Sequence, residues 1–420
     1  MKVLVIGAGL EGVTSAWYLA QAGCEVTVVE RRPGPGLETS FANGGQISVS
    51  HPEPWANPRA PGTILRWIGR DDAPLLFRPS LVGRQWRWGL AFLRECLPAR
   101  TARNTAAIAS LACYSRDQLR ALRDATGLEY AAQTQGILHL FTTSRELVHA
   151  RDHERILSRL GIRANLLTPA QAISLEPAIA PLADRLKGAL HGVDDESGDA
   201  HLFCRALAER AAAAGVTFLY DSAVYSMETL AGRVAGVRVL DSARRAGVLT
   251  ADAFVVAAGS YSPALLARVG EALNIYPVKG YSVTAQIVDP ERAPHLSLTD
   301  ESRRVVCSRF GDRLRVAGTA ELNGFDLSPN PARSNALVRW LEEHFPGVTH
   351  SRKAEHWCGL RPATPSNVPI IGRGRYDNLF LNAGHGTLGW TLACGSARAL
   401  ADIITGRKPE PEFPFRGLAR

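Results

Sequence analysis

The sequence predicts an α/β protein with a Rossmann-like dinucleotide-binding domain and a discontinuous second α+β domain built on a mostly antiparallel sheet. Three observations carry this. Val3–Ile6, Gly7-Ala8-Gly9-Leu10-Glu11-Gly12, an apolar helical run and Val26–Glu30 follow each other as strand, glycine turn, helix, second strand and terminal acid. Residues 276–321 read as short alternating strands, the mark of an antiparallel sheet with one buried face. A second glycine-rich turn, Gly384-His385-Gly386-Thr387-Leu388-Gly389, opens an apolar helix that periodicity carries to about Ile404.

In the first unit each residue has a physical task. Gly7 permits the tight turn, Gly9 lets a pyrophosphate approach the backbone, and Gly12 lets helix and strand pack closely. The helix start offers its free N–H groups to the phosphates. Glu30 stands where a carboxylate accepts hydrogen bonds from both hydroxyls of an adenosine ribose, and it repels a 2′-phosphate.

The rest of the chain is ordinary in composition. With 420 residues and 46% hydrophobic content it buries a large core and is expected to form two domains. No apolar run approaches a membrane span, and the first strand begins at residue 3, so an intracellular protein is expected. Seven cysteines (24, 96, 113, 204, 307, 358, 394) lie scattered without a CxxC pair, which points away from a disulfide framework or a metal site; no metal ligand set is expected. The net charge of +8 is spread along the chain, so a nucleic-acid partner is not expected, while attraction to anionic substrates or lipid stays open.

After Glu30, the Arg31-Arg32-Pro33-Gly34-Pro35-Gly36 stretch must turn, leading into small and amide-bearing residues from Glu38 to Ile47 that leave the backbone open to a flat ligand. Residues 51–100 gather Trp55, Trp67, Trp86 and Trp88 among Arg66, Arg70, Arg78, Arg84, Arg87 and Arg94. Such a mixture lies at a lipid surface, covers an active site, or packs arginine stems over tryptophan in an amphipathic helix pair. Helical periodicity follows through 101–125, then a strand over 136–141. Asp199 precedes a helix ended by Gly215; strands are expected at 216–220, 234–239 and 251–258. The domain boundaries read as 1–50, 185–270 and 355–420 for the dinucleotide domain, with 51–184 and 271–354 forming a substrate or cap domain.

The helix start after Gly384 stabilises negative charge, and a reduced flavin carries its charge around N1 and the adjacent carbonyl, so the cofactor expected is FAD rather than NAD. His385 is read as a cofactor contact or a capping or core histidine, without a proton-transfer role.

Five segments together resemble the D-amino-acid oxidase superfamily of FAD enzymes: Glu38-Thr39-Ser40 through Gly44-Gly45-Gln46-Ile47-Ser48, Ala258-Gly259-Ser260-Tyr261-Ser262, Lys279-Gly280-Tyr281-Ser282, Gly359-Leu360-Arg361-Pro362, and Gly384 to Trp390. The chain departs from that pattern at Val49-Ser50-His51, where proline, glycine and tyrosine are expected, and in a short tail after Phe413. The resemblance implies oxidation of a D-amino acid by hydride transfer from the α-carbon to flavin N5. Water then hydrolyses the imino acid to a 2-oxo acid and ammonia. It further implies a respiratory electron acceptor such as a quinone or redox partner, and peripheral attachment at the cytoplasmic side of the inner membrane. Related amine dehydrogenases or oxidases acting on D-hydroxyproline, glycine or sarcosine, and a flavin subunit of a larger dehydrogenase, remain alternatives.

By the same resemblance Arg361 holds the substrate carboxylate, a task suited to a guanidinium that binds through two parallel hydrogen bonds. An arginine paired with a core carboxylate is the alternative. Tyr281, Tyr276 and His51 are secondary candidates for lining that pocket. Cofactor contacts are expected from Gly7, Gly9, Leu10, Glu11, Gly12, Glu30, Arg31 and Arg32, then from Thr39, Ser40, Asn43, Gly44, Gly45, Gln46 and Ile47. Val224, Ala258, Gly259 and Gly359 follow, and Gly384, His385, Gly386, Thr387 and Leu388 complete the set. Cys358, beside this motif, is expected to be inert rather than a flavin attachment point.

Overall fold

A computed structural model describes residues 1–67, 74–79 and 82–418; Arg70 of the tryptophan and arginine region lies outside them. Six strands form the dinucleotide sheet, in the order Ile370–Arg373, Leu379–Ala383, Ala253–Val256, Lys2–Ile6, Glu25–Val29 and Thr217–Leu219. All pairings are parallel except the edge pair Ile370–Arg373 with Leu379–Ala383. The inner strands are apolar without alternation because both faces are covered. On one face lie helices Leu10–Gln21, Pro98–Thr126, Ala200–Ala213 and Gly389–Ile404, sharing a single core. On the other, Leu4, Ile6, Phe254 and Val256 meet Met227, Val234 and Val237 of a three-stranded antiparallel sheet.

Local signals set the helix ends. Asp199 caps Ala200–Ala213 by accepting from the amides of His201 and Leu202. Pro98 opens the long helix Pro98–Thr126, and Gly127, at φ +63°, closes it in the left-handed conformation.

The second sheet has nine strands. Its path runs Glu355–Ala363, Tyr276–Gln286, Arg313–Leu322, Val305–Phe310, Ser297–Asp300, Ile137–Phe141, Gly188–Gly192 and Ala164–Leu167, with Leu75–Phe77 added beside Arg313–Leu322. Helix Pro331–His344 packs Leu337, Trp340 and Leu341 against one face. From the opposite face Gly280, Thr319, Val306 and His139 line a cavity.

These sheets move the expected boundaries. Gly188–Gly192 and Glu355–Ala363, both read as dinucleotide-domain sequence, pair inside the large sheet. The strand Arg233–Leu240, expected at 234–239, pairs with Ala223–Leu230 in the small antiparallel sheet. Its alternating burial suits a half-covered sheet and not a parallel core. In the region 51–100, helices Ala60–Trp67 and Gly83–Glu95 form. Trp88 and Phe92 are buried, while Trp86 is half exposed.

Candidate active site

The strand Lys2–Ile6 ends at Gly7, whose φ of +104° only glycine adopts without strain. A Cβ on Gly12 would lie 1.9 Å from the Gly7 carbonyl oxygen, so the helix seats on the strand end only with glycine there. At Gly9 a Cβ would meet nothing nearer than Ser40 Oγ at 3.5 Å, and this residue lines the cavity. Glu30 is buried and accepts from the Ala8 amide at 2.7 Å and the Arg32 amide at 2.8 Å, one on each oxygen. Burial raises its pKa against the pull of those two amides. Each oxygen keeps a lone pair for a further donor. Arg31 stacks over the Tyr261 ring at 3.8 Å and bonds Glu38 at 2.6 Å. The Arg32 side chain, also bonded to Glu38 at 2.6 Å, does not border the cavity; its amide on Glu30 is its connection to the site.

The segment after Glu38 is stitched to both sheets. Ser40 Oγ accepts from the Leu10 amide at 3.2 Å, and Thr39 Oγ1 donates to the Leu360 carbonyl at 2.7 Å. Asn43 holds the Gly45 amide at 3.0 Å, Ser308 donates to the Gly44 carbonyl at 2.8 Å, and the Gln46 amide reaches Ser297 and Thr299, both at 3.0 Å. Ile47 turns into the helix-side core and does not line the cavity. Val224, Ala258, Gly259 and Gly359 do line it, as do His385, Gly386, Thr387 and Leu388. Gly384 sets up that turn at φ +85° from behind the wall.

Arg361 sits on the strand Glu355–Ala363, with Trp357 and Gly359 on the same face toward the cavity. Its Nη1 donates to the Thr319 carbonyl at 2.9 Å, and among the described residues no carboxylate pairs with it. The core ion-pair alternative is therefore removed. Burial lowers its pKa to about 10, with Arg333 adding to the effect, so it stays a cation at neutral pH. The guanidinium lies over Gly280: a Cβ there would fall 2.3 Å from Arg361 Cζ. Gly280 entered the sequence reading only as part of a family motif, although a glycine inside an alternating strand is a signal of close approach.

Of the two tyrosines, one lines the cavity and the other requires correction. Tyr281 lies opposite Cys358 in the strand register, on the face that packs under helix Pro331–His344. It borders the cavity, but its hydroxyl donates to Glu321 at 2.6 Å. Tyr276 does not border the cavity; its hydroxyl accepts from the Gly324 amide at 3.0 Å and its ring packs on Trp88. Strand alternation accounts for Tyr281, one residue from Gly280 and so turned to the other face; Tyr276 shares the parity of Gly280 but lies further along the strand, in the cluster with Trp88 and Phe92. The Cys358 thiol follows the same rule, donating to the Leu327 carbonyl at 3.2 Å, away from the cavity.

His51 lines the cavity at its other end. The Arg361 guanidinium reaches the third strand of the large sheet and His139, beside His51, stands on the sixth, which at the usual strand spacing is roughly 14 Å further on. His51 stacks on His139 with ring planes 4° apart, and Glu301 accepts from His139 Nδ1 at 3.0 Å. Ligating atoms of these three lie within 4.8 Å of one another, a cluster the sequence did not foretell. Arg304 pairs with the same carboxylate at 2.6 Å. The site reads as an ion-pair and hydrogen-bond cluster: burial drives the His51 pKa down to about 4, while His139, His51 and Arg304 hold Glu301 below the usual carboxylate range despite burial.

One cavity of ≈ 1460 Å³ joins these parts, against roughly 300–1,000 Å³ for an ordinary small-molecule pocket. It has room for a dinucleotide and a substrate. The glycine cradle and the Glu30 carboxylate, with a lone pair left on each oxygen, fit FAD.

The family model described as DAO, FAD dependent oxidoreductase, matches residues 2–403. The chain is 53% identical to the D-amino acid dehydrogenase of Dechloromonas aromatica, over 99% of both chains. It is 48% identical to the D-amino acid dehydrogenase of Paramagnetospirillum magneticum, over 100% of this chain and 99% of the relative. Among solved structures, glycine oxidase from Geobacillus kaustophilus superposes with a TM-score of 0.75 at 22% identity over 99% of both chains, a likeness of fold.

Proposed function

Because the chain belongs to the DAO family of FAD-dependent oxidoreductases, we propose that it oxidises D-amino acids to 2-oxo acids and ammonia, with Arg361 holding the substrate carboxylate. The observation that carries the reading is the cation itself: a half-buried guanidinium above Gly280, in the cavity, with a main-chain carbonyl as its hydrogen-bond partner. A bidentate carboxylate supplies the countercharge it lacks and orients the α-carbon. Bound FAD supplies the two-electron acceptor for the hydride leaving that carbon. Trp55 and Trp357 wall the same cavity with apolar surface that keeps water from the reacting centre. Water then adds to the imino acid after release, giving the 2-oxo acid and ammonia. Glu30, the glycine turn and the loop 384–388 are the proposed cofactor contacts.

The test is spectral. Purified protein should show a flavin visible spectrum that bleaches anaerobically with D-amino acids and not with their L-enantiomers. Bleaching by glycine or sarcosine alone would point to the related amine oxidases instead.

For the electrons, the proposed acceptor is a quinone or redox partner reached from a membrane surface. Helix Gly83–Glu95 exposes Trp86, Leu90 and Leu93, and Leu97 continues the stripe at helical spacing, with Arg87 and Arg94 exposed beside it. Leu65 is exposed on helix Ala60–Trp67, whose Ile64 and Trp67 line the cavity. An apolar stripe among arginines suits an anionic lipid surface. No helix among the described residues is long and apolar enough to cross a membrane. Liposome co-sedimentation should depend on anionic lipid and weaken in Leu90→Asp; sedimentation indifferent to both would remove the membrane reading.

A further inference from the structure

The two glycine turns bring a pair of titratable side chains face to face. Glu11, in the first turn of helix Leu10–Gln21, places Oε1 3.6 Å from His385 Nδ1, and both residues line the cavity. His385 is buried, with Nε2 3.1 Å from Ser396 Oγ, and that hydroxyl donates to the Leu392 carbonyl at 2.7 Å. A hydroxyl whose hydrogen points at a carbonyl can only accept from the imidazole, so Nε2 carries the proton and Nδ1 is a lone pair. Among the described residues Nδ1 has no hydrogen-bond partner. An ionised Glu11 would set lone pairs against that lone pair, whereas a protonated Glu11 turns a hydrogen toward it.

Electrostatics lead to the same state. Burial pushes the Glu11 pKa up to about 7 and the His385 pKa down to about 3. The other titratable group bearing on Glu11 is Cys204, on helix Ala200–Ala213, and burial holds that thiol neutral. Glu30, after the strand Glu25–Val29, also lines the cavity and holds the Ala8 amide of the turn.

We propose that Glu11 is a cofactor-binding group that FAD meets in its neutral, protonated form, and that loss of this proton releases the cofactor. The inference rests on the FAD reading above. The start of helix Leu10–Gln21 is where a glycine turn of this kind holds a doubly negative pyrophosphate. With its hydrogen turned to Nδ1, a neutral carboxyl there keeps its other oxygen to accept from a ribityl hydroxyl. A carboxylate adds like charge at a site screened from water. Bound FAD raises the Glu11 pKa further, so affinity is level below about pH 7 and the Kd rises toward tenfold per pH unit above it.

Holoprotein diluted into buffers from about pH 6 to about pH 9 and equilibrated releases FAD, which its fluorescence measures. The wild type should show the rising Kd, and Glu11→Gln, a neutral isostere, should stay within about threefold of the wild-type value at pH 6 throughout. The proposal is overturned by a level Kd in the wild type, a result independent of whether the variant folds, or by an unchanged slope in Glu11→Gln. Protein that carries no FAD at pH 6 would defeat the functional reading itself; FAD bound tightly at pH 6 with no slope would defeat only this inference.

Discussion

The proposed cofactor end and the proposed substrate end of the cavity are built by different means. From Gly7 to Glu30 the site is main chain and small residues: a turn at φ +104°, a helix start, and a carboxylate braced by two amides. At Arg361 it is one long side chain laid across a sheet, over the gap left by Gly280 and onto a carbonyl of the next strand. Backbone sites tolerate no added volume but have no single indispensable charge. The side-chain site depends on one cation and on the space made for it.

Gly9→Val should have the largest effect, because its side chain would enter the pyrophosphate path: folded but colourless protein is expected, and full flavin content in the purified variant would show that the pyrophosphate lies elsewhere. At the other end, Arg361→Lys should keep the flavin spectrum while kcat/KM falls by roughly 2–4 kcal/mol, since lysine cannot reproduce the two-pronged contact. Near-normal kcat/KM with D-over-L selectivity intact would assign the carboxylate to another residue.

Gly280→Ala separates space from charge. The new Cβ must displace the guanidinium, so we expect a loss of about 1–3 kcal/mol in kcat/KM with FAD content unchanged. If kinetics stay normal, the guanidinium does not need that gap. Glu30→Ala should weaken FAD retention by about 1–2 kcal/mol, one or two hydrogen bonds to ribose, leaving kcat of the loaded enzyme unaltered; flavin titration measures it, and an unshifted Kd would take Glu30 out of the site. The smallest expected effect is none: Cys358 faces away, so acid precipitation should free the flavin from wild type and Cys358→Ser alike, and a yellow wild-type pellet would contradict this.

The contrast also governs what was legible. The first unit could be read because its parts lie within 30 residues and each obeys a local rule: a parallel strand is apolar throughout, a tight turn needs glycine, and a helix start attracts anions. The helix Gly389–Ile404 was legible for the same reason, and Arg361 through the motif around it. Periodicity gives the faces of a strand without giving its neighbours. Hence Gly188–Gly192 and Glu355–Ala363 fell on the wrong side of a boundary, and Tyr276 and Tyr281 were both assigned to a pocket where neither places its hydroxyl.

The sequence by itself determined the dinucleotide unit and its acid, because those depend on the conformational limits of neighbouring residues; it pointed to Arg361 only through a family motif. Only the tertiary structure decided that, among the described residues, Arg361 has no carboxylate partner, that His51, His139 and Glu301 meet, and that Glu11 faces His385. Those facts depend on which distant strands and helices become neighbours, and on burial, which sets protonation after the chain has closed around the groups.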